Sequence, residues 1–431
     1  MRFLHMTKTS STGLPGWLWL MVAAGVLTQT TANLVRPVTS YKLISLGWGE
    51  TEIGIATAAY ALLPLFLALP FGRLQGRLRS PRNFVALGIV VLALGAAYLA
   101  LTDHIVQLMI ASAVLGIGHL MFTIGGQSMV ARRSRATDMD ANFGWFTASF
   151  SVGQMLGPLL SGLLLGNTSL AETQASGDDL AFSVNLALWI GAGTSIVAVP
   201  VLYALRASPA RTITQTQDIV VSEPGQKPSM INILKKPGIA SHMLAALALL
   251  AILDILVAFM PLVGESAGVS PLVIGALLAV RGATSVVSRV FIRPLSAKYS
   301  RNFLLLVSLL ISAVTLAIVP GALALGTVGI VAAFIFMSAG GFTLGLGQPL
   351  TMTMISQAVP RSWRSPALAL RLMGNRVGQV ILPVAASVVA GPIGPAGGIW
   401  FACAILGLSG AERLMNKRTG PNPPTGSQTP N

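Results

Sequence analysis

Five charged side chains stand well inside long apolar runs of this chain: Arg36, Asp254, Arg281, Arg371 and Arg376. A charge at membrane depth is costly unless it faces a cavity or a partner, so each marks a place where chemistry is expected. At 1.5 Å per helical residue, Arg36, Asp254 and Arg281 lie about 12, 13 and 15 Å from one membrane face, and Arg376 about 15 Å from the other. Those four therefore share the midplane, whereas Arg371 is shallower and is expected to snorkel. Guanidinium forks grip carboxylate or phosphate through two parallel hydrogen bonds. Three of them against one carboxylate point to binding of an acidic ligand. Asp254 is the single acid well inside a run and is placed to exchange a proton. His119, a residue type that changes charge near neutral pH, is a second proton-coupling candidate. The plainer alternative is that Asp254 neutralises Arg281 across adjacent helices while the other arginines bond helix-end carbonyls.

Neutral donors and acceptors surround these positions. Gln29 and Asn33 fall one turn apart, and Gln127, Gln154, Gln348, Asn375 and Gln379 lie in other runs. Gln154 and Gln379 carry extra weight because the string V-G-Q-x-x-x-P occurs twice, at Val152–Pro158 and again 225 positions later at Val377–Pro383. A second echo, Arg82-Asn83-Phe84 against Arg301-Asn302-Phe303, keeps nearly the same register. Such internal symmetry between two membrane halves belongs to transporters with a midplane site. Around the first copy, Gly153, Gly157 and Gly162 clear one helix face for close approach, and Pro158 removes a backbone donor. That face suits either a rocking gate or simple tight packing.

The elements that must hold these residues follow from composition. The chain has 431 residues, 53% hydrophobic and only 10% charged, too few charges to cover a soluble globule. Twelve apolar spans are predicted, at 17–44, 52–71, 83–102, 105–130, 143–166, 180–205, 239–263, 271–293, 302–322, 326–349, 366–390 and 395–414. Period-two alternation is lacking, so the fold class is an all-α integral membrane protein. Residues 1–205 and 239–414 read as two six-helix halves, 206–238 as a polar cytoplasmic linker and 415–431 as a disordered tail. Lys and Arg collect in alternate loops, such as Arg132 and Arg133, Lys235 and Lys236, and Lys298 and Arg301, which places both termini in the cytoplasm of a multi-pass inner-membrane protein. The net charge of +15 is thus a topology signal rather than a nucleic-acid footprint. The first span follows Arg2 and Lys8, lacks a small-residue cleavage site and reads as an uncleaved helix. Cys403 is the one cysteine, which leaves no disulfide framework and no cysteine metal site.

With this architecture the chain resembles the major facilitator superfamily of secondary transporters over nearly its whole length. Gly72-Arg73-Leu74-Gln75-Gly76-Arg77 matches that family's first cytoplasmic signature at Gly72 and Arg77, with Gly76 where an Asp is usual. Gly153 to Gly162 resembles the signature of its exporters, differing at the penultimate Gly, which is Ser161. Ser112 stands where a fourth-span signature has an Arg, four residues before Gly116-Ile117-Gly118. The resemblance implies a major facilitator fold and alternating access. The outer support would come from the third, sixth, ninth and twelfth spans, whose interiors are free of charge. No catalytic triad, metal motif, P-loop or dinucleotide pattern is present, so neither an enzyme nor a cofactor is expected.

The function expected is proton-linked efflux, as an antiporter, of an acidic metabolite or drug-like molecule. Arg36, Arg281, Arg376, Gln154, Gln379 and Asn33 would bind the cargo, Asp254 and His119 would couple protons, and Gly72, Arg77, Gly153, Gly157, Pro158 and Gly162 would serve the gate. Proton-symport uptake of an organic anion is the alternative, and a transporter-like sensor or scaffold is the reading of a different class. The expected partners are a small solute, protons and the lipid bilayer, with no nucleic acid, and the chain is expected to be a monomer.

Overall fold

Helix-forming apolar runs punctuated by Ser-Pro and Gly define the elements of the computed structural model, which describes residues 16–78, 80–134, 139–166, 177–204, 230–360 and 363–419. Twelve of its helices are long and apolar enough to cross a membrane. They are α1 Gly16–Ser45, α2 Glu50–Arg77, α3 Pro81–Leu101, α4 Ile105–Arg133, α5 Met139–Leu165 and α6 Gly177–Tyr203, then α7 Ile239–Ser266, α8 Pro271–Lys298, α9 Arg301–Leu323, α10 Gly326–Gln357, α11 Arg364–Ile393 and α12 Ala396–Thr419. The described residues contain no strand, and the protein is all-α.

Local chemistry sets where these helices begin. Pro81 and Pro271 take the first helical position, where a missing N–H costs nothing. Ser300 accepts a hydrogen bond from the Phe303 amide at 3.3 Å and caps α9. Between α1 and α2 the chain reverses through Gly47 at φ +79°, a conformation costly for any residue with a Cβ. Most spans match the predicted ones to within a few residues. The exceptions are α2, α8 and α10, which run on to Arg77, Lys298 and Gln357, and α12, which continues to Thr419 through residues expected to begin the tail.

Packing divides by sequence order. In the first six helices α3 packs on α4 and α6, α1 on α5 and α6, and α2 on α4; in the last six α9 packs on α10 and α12, α8 on α10, and α7 on α12, α11 and α10. The main contacts between the two groups are α5 with α8, α2 with α11, and α1 with α7. The helices α3, α6, α9 and α12 take no part in these main contacts, as the resemblance implied.

The segment 206–238 is described only from residue 230. That part is not plain linker: Met230–Leu234 forms a short helix whose Ile233 is buried with Ile239, Ile355, Val359 and Ala367. The buried Ile233 side chain docks this short helix, and Lys236 lies over the Trp363 ring at 5.6 Å.

Candidate functional site

Four helices bring the midplane charges together. Arg36 on α1 donates from Nη2 to Asp254 Oδ1 on α7 at 2.7 Å, an ion pair joining the two helix groups with side-chain exposures of 17% and 7%. Gln379 on α11 donates from Nε2 to the other carboxylate oxygen, Asp254 Oδ2, at 2.9 Å. Its own Oε1 accepts from Arg376 Nη1 at 3.0 Å, one helical turn away. Arg281 on α8 lies within charge–charge range of Arg36 and Asp254. It is only 2% exposed, and its Nε and Nη1 have no hydrogen-bond partner.

This corrects one expectation in detail. Matching depth allowed Asp254 to neutralise Arg281, but the carboxylate is engaged by Arg36 and Gln379, and Arg281 stays unpaired. Arg371 is also placed differently: it is 8% exposed and points Nη2 at Thr351 Oγ1, 3.4 Å away, instead of snorkelling. Thr351 lies on α10, so packing between neighbouring helices outweighs the pull of the interface for this side chain.

A neutral array borders the charges on the α2 and α4 side. The Arg36 guanidinium stacks over the Tyr60 ring at 5.1 Å. Tyr60 Oη bonds His119 Nδ1, and Gln29 Nε2 lies 3.0 Å from His119 Nε2. Because the Gln29 amide nitrogen is a donor, the ring accepts at Nε2 and carries its hydrogen on Nδ1 toward Tyr60. His119 is therefore bonded through both nitrogens to neutral groups and not to Asp254. Asn33 donates from Nδ2 to the Gln29 carbonyl at 2.7 Å, so its amide is tied to its own helix. The half-buried Gln154 side chain makes no hydrogen bond to the charged cluster among the described residues, although it is the repeat equivalent of Gln379. Just beyond Arg36, a cavity of about 30 Å³, room for roughly one water, is lined by Tyr60, Ser112, Leu115 and Ala258 among others. Ser112, without a long side chain, leaves that space open.

The glycine and proline positions form the seam around this cluster. An added Cβ at Gly157 would sit 2.6 Å from Asn33, and Gly153 faces Gln29 in the same way, so both hold α5 against α1. Gly162 faces α8 instead, where its added Cβ would be 2.7 Å from the Pro271 carbonyl. Pro158 lacks the N–H that would bond the Gln154 carbonyl. That carbonyl meets α8 at Gly282, whose added Cβ would lie 2.9 Å from it. The Leu272 amide donates to the Gly166 carbonyl at 3.2 Å and closes the end of the α5–α8 seam. At the opposite ends of α5 and α11, Gly144 and Gly374 have open space around them.

Gly72 lies exposed on α2, and Arg77 closes that helix with its side chain outside the described residues. Arg132 donates to the carbonyls of Leu78 and Gln75 at 2.7 and 2.8 Å, tying α4 to the end of α2 where Gly76 offers no carboxylate.

Two residues escaped the sequence reading. Tyr60 gave no sign, since a lone aromatic in an apolar helix is ordinarily packing. Lys42 gave a weak one, two residues inside a predicted span end. It is 2% exposed and donates from Nζ to the Leu99 carbonyl at 2.6 Å and to Asn185 Oδ1 at 3.0 Å, with Asp103 at 3.1 Å.

Twelve helices long and apolar enough to cross a membrane, with an ion pair buried among them, define a polytopic membrane protein. The family model of the Major Facilitator Superfamily matches residues 19–340 and 242–430, and the chain belongs to that superfamily. Members of that superfamily are secondary transporters of small-molecule solutes. Among curated relatives, the quinolone resistance protein NorA of Staphylococcus aureus is 25% identical over 132 residues, 31% of this chain and 34% of that protein. The inner membrane transport protein YajR of Escherichia coli K12 is 31% identical over 132 residues, 30% of this chain and 29% of that protein. The matched region thus spans about a third of those relatives' own length. Two solved structures share the fold. A bacterial homologue of the human lysosomal transporter Spinster, inward-facing and occupied, has a TM-score of 0.70 at 16% identity, covering 95% of this chain and 98% of that one. The nucleoside transporter NupG has a TM-score of 0.66 at 14% identity, covering 94% and 100%.

Proposed function

We propose that the protein exports a small acidic metabolite or drug-like molecule in a proton-linked cycle, by alternating access around the Asp254 cluster. The observation that carries this reading is the surplus of guanidinium. Arg281 is buried without a partner and Arg376 rests on the neutral Gln379, while the one carboxylate is already held by Arg36. An unpaired buried charge is costly, and a cargo carboxylate or phosphate supplies the missing counter-charge. Arg281, Arg376 and Arg36 are then the cargo-binding cations, with Gln379, Gln154 and Asn33 around them. Asp254 is the proton carrier, with His119 in a secondary role through Tyr60. Gly153, Gly157, Pro158 and Gly162 line the seam that moves, and Gly72 and Arg77, in the last turns of α2, serve the gate behind it. Export is supported by the α5 signature and by the likeness to a protein named for quinolone resistance.

A second reading, uptake by proton symport, is favoured by the shared guanidinium. A cargo acid that draws Arg36 away frees Asp254 to take a proton, so cargo and proton load together. Reconstituted transporter in vesicles, with acid flux followed under pH gradients of either sign, separates the two. Export by exchange predicts acceleration when the proton gradient opposes cargo movement, and symport predicts acceleration when they run together. Flux of cations or neutral drugs alone, untouched by Arg281→Gln, would defeat both.

A further inference from the structure

The formal charges of the cluster do not cancel: Arg36, Arg281 and Arg376 face one carboxylate, Asp254. Both oxygens of that carboxylate are used, Oδ1 by Arg36 and Oδ2 by Gln379. The two guanidiniums left over approach it from different helices. Arg281 comes from α8, 2% exposed and without a partner at Nε and Nη1. Arg376 comes from α11, where among the described residues its hydrogen bond goes to the neutral Gln379, and it lies within charge–charge range of Tyr60 and His119. The remaining polar neighbours, Gln29, Tyr60 and His119, are neutral and bonded to one another. Lys42 and its acid Asp103 are paired elsewhere, at the end of α3. Among the described residues no further acidic side chain pairs with the second and third positive charges.

We propose that the cargo carries two separate acidic groups: it is a dianion of the dicarboxylate type that places one acid on Arg281 and the other on Arg376 while Arg36 stays on Asp254. This rests on the organic-anion reading above and narrows it. A monoacid would leave one guanidinium uncompensated in a poorly solvated site, where charge–charge interactions are several times stronger than in water. A dianion brings the site to neutrality while Asp254 keeps Arg36, so the ion pair between the two helix groups survives cargo binding. Two guanidinium forks on separate helices also set a span between the acids, which a single carboxylate cannot bridge.

The test compares matched probes that differ by one charge. Full-length protein in lipid nanodiscs is titrated at about pH 7.5, where carboxylates are ionised, with succinate and its mono-amide succinamate, and with glutarate and glutaramate. Thermal stabilisation and direct calorimetry are the readouts. For at least one pair the dianion is expected to bind roughly tenfold or more tighter than its monoanion. Arg281→Gln and Arg376→Gln should each bring that ratio close to one, and Arg281→Lys should keep most of it. Melting of the ligand-free variants shows that they are folded, and the half-buried Arg376 gives an independent arm should Arg281→Gln fail to fold. Monoanions binding as tightly as dianions throughout the panel, with Arg281→Gln weakening both equally, would overturn the two-acid inference and leave anion transport standing. Dianions binding tighter in wild type with the ratio unchanged in both Gln variants would also overturn it. Binding of cations or neutral compounds with no response to any acid would sink the organic-anion reading itself.

Discussion

Asp254→Asn should destabilise the protein more than Arg36→Gln, although the two residues form one ion pair. Removing the carboxylate leaves Arg36, Arg281 and Arg376 around a neutral amide, three guanidiniums with no acid. Removing Arg36 leaves Asp254 its hydrogen bond from Gln379 and a second cation, Arg281, within charge–charge range. Breaking a buried pair from one side typically costs about 3–5 kcal/mol, and Asp254→Asn belongs at the upper end. For Arg36→Gln the loss of one charge-assisted hydrogen bond, about 1.5–3 kcal/mol, is the better guide. The difference is expected to be about 2 kcal/mol, and the double variant should cost less than the sum of the singles. Denaturant titration of the wild type, both single variants and the double variant in one detergent measures all three terms. Equal costs for the single variants, or a coupling energy near zero, would refute the electrostatic account and leave the pair as an incidental contact.

Three further outcomes are expected from the same geometry. Gln379→Ala, which strips Asp254 and Arg376 of a shared partner, should cost about 1–2 kcal/mol, whereas Gln154→Ala at the repeat-equivalent position should stay within about 0.5 kcal/mol; equal effects in denaturant titration would contradict the asymmetry. Gly162→Val, which would drive its side chain into the Pro271 carbonyl of α8, should cost about 1–3 kcal/mol as an overpacking change, and cross-linking between α5 and α8 near that level should fall; unchanged melting and cross-linking would refute the close approach. Lys42→Met should cost about 1–3 kcal/mol because it orphans the α3 carbonyl ligands, yet Asp103→Asn should cost at most about 1 kcal/mol since Asp103 is 71% exposed; a larger effect at Asp103 would reverse the assignment of what holds that corner.

Part of the site was legible in the residues alone. A charge inside an apolar run stands out because lipid penalises it, and depth follows from a fixed helical rise, so Arg36, Asp254, Arg281 and Arg376 could be placed at one level before any fold was known. The V-G-Q-x-x-x-P repeat singled out Gln379 beside them. The twelve spans were equally legible, because in lipid a backbone must bond within its own helix and length then sets the count. Helix ends were less so: α2, α8, α10 and α12 all run past their apolar stretches, since polar turns continue a helix in water as readily as they end it.

Partnership was a different matter. Rise along a helix fixes depth but not the rotation of its face, so Asp254 could equally have met Arg281; only the packing of α1 against α7 turned Arg36 to it. The same ignorance of rotation hid Tyr60, whose ring holds Arg36 and whose hydroxyl occupies His119, and it made Gln154 look equal to Gln379. Sequence thus determined what charges the membrane interior must accommodate and at what depth, because desolvation depends on residue type and on distance along the chain. Tertiary structure alone decided which of them meet and which guanidiniums remain uncompensated, because contact between helices depends on the facing of surfaces that lie hundreds of residues apart.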